Sequence, residues 1–97
     1  MTLEFDHSKR VLQRMLSFLD AYEEDRIGLD QLISDLEGSL NVLEERLPPT
    51  FSENWYGHLL ELDTILALDE EQERRGQIAS AIGEMKRLLM EIIDSQE

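Results

Sequence analysis

Apolar residues recur at three- and four-residue steps along nearly the whole chain, and a single adjacent pair of prolines, Pro48 and Pro49, interrupts the pattern near its middle. Such spacing lines one face of an α-helix with apolar side chains. Neither proline fits a helix interior, so the chain divides into two helical halves. No run alternates apolar and polar residues and no hairpin dipeptide occurs, so no strand is expected.

Four helices account for the pattern. The first is predicted to start near Ser8, with Leu12, Met15, Leu16, Leu19 and Tyr22 on one stripe, widened by Val11 and Phe18, and to end in the run Glu23-Glu24-Asp25-Arg26. The second has a defined entry. With Gly28 as N-cap, Ile27 and Leu32 take the positions of a hydrophobic staple, and Asp30 lies in the first turn where the helix dipole favours an acid. Its stripe is Leu29, Leu32, Ile33, Leu36, Leu40, Leu43 and Leu47. Gly38 sits inside it, either as a close helix contact or as a tolerated surface glycine. Thr50 and Glu53 have capping-box spacing, which predicts a third helix from Phe51 to Asp69. The fourth starts between Glu70 and Gly76 and runs to Asp94, with Ile78, Ile82, Met85, Leu89, Ile92 and Ile93 on its stripe and Leu88 beside it. The expected fold is all-α, an antiparallel up-down four-helix bundle with short connections. A three-helix arrangement with an irregular tail is the alternative.

Composition removes several classes of function. At 97 residues the chain is one helical domain, and 41% apolar content suffices for a core. It has no cysteine, which excludes disulfide scaffolds, thiolate metal sites and cysteine catalysis. No apolar run approaches the roughly 20 residues that span a bilayer. Glu4 and Asp6 occupy the N-terminus where a signal peptide would be basic and then apolar, so a cytoplasmic location is expected. Twenty-two acids against nine bases give a net charge of −13, which repels nucleic-acid phosphates.

That charge is unevenly placed. Residues 27–73 hold −11 of it with Arg46 as their only base, and residues 51–73 carry seven acids and no base. Self-repulsion of this kind lowers the stability of a compact chain. One reading is a solubilising coat. The other is a face for a basic partner, since a local field of several kT speeds association and selects by charge. The third helix bears on the choice. Phe51, Trp55, Leu59, Leu62, Ile65 and Leu66 fall on its presumed core side, whereas Tyr56, Leu60 and Ala67 fall roughly opposite, flanked by Glu53 and Asp63. An apolar anchor with a charged rim is the make-up of an interface, although a central helix buried on two sides gives the same pattern. The expected partner-binding residues are Glu53, Tyr56, Leu60 and Asp63, with the further carboxylates Asp35, Glu44, Glu45, Asp69 and Glu70.

Catalytic chemistry finds little support. The histidines are His7 and His58, and no nucleophile has an evident base. His58 and Glu61 lie three residues apart and suit one metal ion. The duplicated Glu-x-x-His pairs of di-iron bundles are absent, so His58 reads as a half-buried structural residue. There is no phosphate-binding glycine loop. The expectation is a non-enzymatic protein with neither cofactor nor metal.

Phe18-Leu19-Asp20-Ala21-Tyr22, then Ile27-Gly28-Leu29, Leu32-Ile33, Asp35-Leu36-Glu37 and Leu40, followed by Trp55 and the stretch Leu62-Asp63-Thr64-Ile65-Leu66-Ala67-Leu68-Asp69, resemble the small acidic all-helical immunity proteins of contact-dependent inhibition and colicin-like systems. The resemblance covers roughly residues 15–70 and carries no binding motif residue by residue. It implies an inhibitor that binds a basic toxin domain, often a nuclease, and blocks its active site or substrate path. The alternative is a helical adaptor or homodimerising module, motivated by the wide apolar face at Leu88, Leu89, Ile92 and Ile93.

Overall fold

The computed structural model of the chain describes residues 3–43 and 47–95, with side chains described over 9–41 and 47–94. It contains four helices: α1 (Leu3–Glu23), α2 (Leu29–Leu43), α3 (Pro49–Ala67) and α4 (Arg75–Ser95). Each packs on its neighbours in the chain, and α4 closes the ring against α1. The neighbours are antiparallel, so the four-helix bundle predicted from the spacing is the fold. The three-helix alternative is set aside.

One face of every helix meets at the axis. Leu12, Met15 and Leu19 of α1, Leu32, Leu36 and Leu40 of α2, Trp55 and Leu62 of α3, and Ile82, Met85 and Leu89 of α4 are almost wholly buried. Complete burial of one such side chain stabilises the fold by about 1.5–3 kcal/mol. Gly38 is exposed with open space where a Cβ would stand, so it is a surface glycine and not a close helix contact.

Three boundaries differ from the sequence expectation. α1 begins at Leu3 instead of near Ser8; its first turn contains Glu4 and Asp6, the charge that suits a helix start. α3 begins at Pro49 instead of Phe51, with Pro48 as N-cap and no side-chain cap bond, so the Thr50–Glu53 capping box does not form. The physical reason is Pro49 at the first helical position: its fixed φ suits the helix and its missing N–H costs nothing there. Thr50 is thereby drawn inside the helix. α3 then ends at Ala67 instead of Asp69.

The end of α3 has a twin at the end of α1. Arg26 N–H donates to the Ala21 carbonyl at 2.9 Å and Asp25 N–H to that of Tyr22 at 3.0 Å. Likewise Glu70 N–H donates to Ile65 at 3.0 Å and Asp69 N–H to Leu66 at 3.1 Å. Both are Schellman closures, and both place an aspartate in the left-handed region, Asp25 at φ 60° and Asp69 at φ 56°. Glycine holds that conformation without the Cβ clash, and an acid at a helix C-terminus opposes the dipole. Replacing both with glycine is therefore expected to raise stability by about 0.5–1 kcal/mol per site. At about 4–8 °C per kcal/mol for a chain of this size, thermal unfolding followed by circular dichroism resolves the gain. An unchanged or lowered melting temperature counts against this account of the closures.

The seam between α1 and α4 is polar at its rim. The Tyr22 hydroxyl donates to the Glu71 carboxylate at 2.7 Å, tying the α3–α4 connection back to the end of α1. Burial, then the bond to Glu71, pushes the Tyr22 phenol up to about 12. Lys86 bridges Asp20 at 2.7 Å and also pairs with Glu23, and the bonds to these two carboxylates raise its pKa.

Candidate partner-binding face

Residues 55 and 56 of α3 project about 100° apart around the helix, enough to set one in the core and the other at the surface. Trp55 is fully buried, whereas Tyr56 is 43% exposed and Leu60, one turn on, is 65% exposed. Burial of α3 on two sides, the alternative reading of its apolar strip, is thereby excluded. Leu68, beyond the helix end, is 62% exposed, so three of the four large apolar residues exposed among the described residues belong to α3 or its C-cap; the fourth, Met90, stands on α4.

Tyr56 and Leu60 form one wall of a groove between α2 and α3, floored by Leu40 and Leu59 and edged by Glu37, Asn41 and Asp63. Glu53 is exposed, seven residues before Leu60 on the same outer strip of α3. The structure thus brings together Glu53, Tyr56, Leu60 and Asp63, and it adds Glu37 and Asn41 from α2.

The other expected site residues lie elsewhere. Asp35 lines the opposite flank of α2, beside Arg14 and Phe18 at the α1–α2 seam, and accepts a 2.9 Å bond from Gln31. Glu37 follows Asp35 by two positions, and a 200° rotation turns them to different neighbours. Asp69 forms the closure after α3. Glu70 is paired with Arg74 at 2.8 Å, on the α3–α4 side of Leu60. Glu44 and Glu45 lie outside the described residues.

Neither α2 nor α3 contains a lysine or arginine. The helices sit side by side in the ring, so one half of the bundle is free of basic helix positions, and Arg46 lies outside the described residues. The other half neutralises itself. Arg87 holds Glu84 at 2.6 Å and Glu91 at 2.8 Å, and its hydrogen bond and charge lower the Glu84 pKa. Lys86 takes up Asp20 and Glu23. Among the described residues no ion pair engages Glu37, Glu53 or Asp63. Acids do occur around the whole circumference; those of α1 and α4 share their helices with bases, whereas those of α2 and α3 do not.

The His58 ring is half-buried with Nδ1 3.8 Å from Glu61, whose second oxygen accepts a 2.5 Å bond from Gln77. Among the described residues no three metal-ligating side chains converge on one point. The broad apolar face of α4 is used within the bundle: Leu88 and Leu89 are buried, and Ile92 and Ile93 are half-buried against the core. No helix among the described residues is long and apolar enough to cross a membrane.

The fold and this face define an acidic all-α bundle with one apolar-centred side whose two helices contain no lysine or arginine. No protein-family model, curated protein or solved structure matches the chain.

Proposed function

We propose that the chain is an immunity-type inhibitor that binds a basic toxin domain, a nuclease by preference, through the α2–α3 side. The observation that carries this reading is the exposed Tyr56–Leu60 pair edged by the unpaired carboxylates Glu37 and Asp63 on two helices that contain no base. A nuclease presents cationic groups to phosphates, and carboxylates held on a rigid helical face compete for the same groups. Complementary charge accelerates encounter and rejects acidic partners, while the apolar centre slows departure. The resemblance to immunity proteins agrees with this chemistry.

The test begins with the protein purified from its native host together with whatever basic protein accompanies it. A nuclease assay on that partner, with and without added inhibitor, is expected to show protection at one-to-one stoichiometry. Affinity is expected to weaken as salt is raised through the physiological range, where the Debye length falls to about 8 Å. Full nuclease activity in the presence of equimolar protein sinks the proposal.

A further inference from the structure

We infer that the element of the partner received by the α2–α3 groove is a basic amphipathic helix, lying lengthwise as a fifth helix. This rests on the partner-binding reading above and specifies what the groove takes.

The groove runs between two antiparallel helices, so it is straight and parallel to their axes. Its floor is apolar, Leu40 and Leu59 being 1% and 4% exposed. Tyr56 and Leu60 stand above the floor one turn apart, and Asp63 closes the second turn, about 10 Å from Tyr56 along the helix. An incoming helix presents apolar side chains at the same three- and four-residue steps and basic ones on either flank, where Glu37 and Asp63 stand. An added β-strand finds nothing to pair with, because the backbone groups along both helices are used within those helices. A flexible basic tail matches the carboxylates but leaves Tyr56 and Leu60 uncovered. A second copy of this chain sets −13 against −13 across two acidic rims.

The probe is a capped peptide of about 14 residues, leucines at i, i+3, i+4 and i+7 and lysines on the remaining face. A shuffled peptide of the same composition, without the helical stripe, is its control. Titration calorimetry with the full chain is expected to give affinity about tenfold higher for the striped peptide, the value of burying one large apolar side chain. Helical circular dichroism of the mixture is expected to exceed the sum of its parts. Leu60→Ala and Tyr56→Ala should each erode the preference while the chain still unfolds cooperatively and stays folded at the assay temperature, and Leu68→Ala, outside the groove, should leave it intact.

Equal affinity for the two peptides overturns the helix inference and leaves a purely electrostatic face, which the nuclease-protection assay judges separately. Loss of preference in Leu68→Ala moves the occupant to the α3–α4 side and also overturns it. Sedimentation showing a dimer of the free chain that the striped peptide does not dissociate overturns it in favour of a second copy. Absence of binding by either peptide at low salt removes both the helix and the cation-binding face.

Discussion

Changing Trp55 to alanine is expected to remove about 3–5 kcal/mol of stability, while changing its neighbour Tyr56 to alanine removes less than about 1 kcal/mol. Trp55 is fully buried and stacks on Phe51, ring centroids 5.5 Å apart and planes 14° from parallel. Truncation there leaves a cavity in a close-packed core. A domain of this kind holds about 5–15 kcal/mol in all, so the alanine variant sits near its unfolding threshold. Trp55 also carries a buried indole N–H with no partner among the described residues. Trp55→Phe discards that unpaired donor along with part of the ring, and should cost clearly less than alanine. Tyr56 loses chiefly solvent-facing surface on truncation, and the loss appears in partner binding instead. Urea unfolding of the three variants, followed by circular dichroism, decides the matter. Comparable destabilisation by Tyr56→Ala would show that this ring is a core residue and remove the anchor from the proposed face.

Reversing Glu37, Glu53 and Asp63 to lysine together is expected to slow association with a cationic partner by about 10–100-fold at low salt. The three reversals add six charges and move the net from −13 to −7. Relief of self-repulsion leaves thermal stability unchanged or raised, because none of the three is in an ion pair among the described residues. The matched control reverses Glu84, Glu91 and Asp94 on α4, with the same change in net charge. It breaks the Arg87 pairs, which solvent screens, yet association should slow by no more than about threefold. Stopped-flow association rates for the two triple variants separate a local face from the field of the whole molecule. Equal slowing by both triples argues that no single face is in command.

The helices and the core were legible because burial on one side imposes its period on the sequence. Leu12, Met15, Leu32, Leu36, Leu62, Ile82 and Leu89 all stand where the spacing puts them. The start of α3 was not, because capping-box spacing and a proline at the first helical position compete for the same turn, and the proline prevails. The candidate face was half legible. Tyr56, Leu60, Glu53 and Asp63 share one helix, so a rotation of 100° per residue groups them. Glu37 and Asn41 come from α2, and no spacing within one helix tells which flank of α2 meets α3 and which meets α1. Asp35 was assigned to the face for the same reason and stands on the far flank.

The closing of α4 onto α1 joins the most distant parts of the chain: Tyr22 meets Glu71 across 49 positions, and Lys86 meets Glu23 across 63. The other extensive helix contacts lie between successive helices. Loop-closure entropy makes long-range contacts slow to form, so docking of the last helix is expected to be the late step of folding and its detachment the earliest opening. The hairpin of α2 and α3 assembles from its own neighbours, which lets the acidic groove take shape before the bundle is sealed.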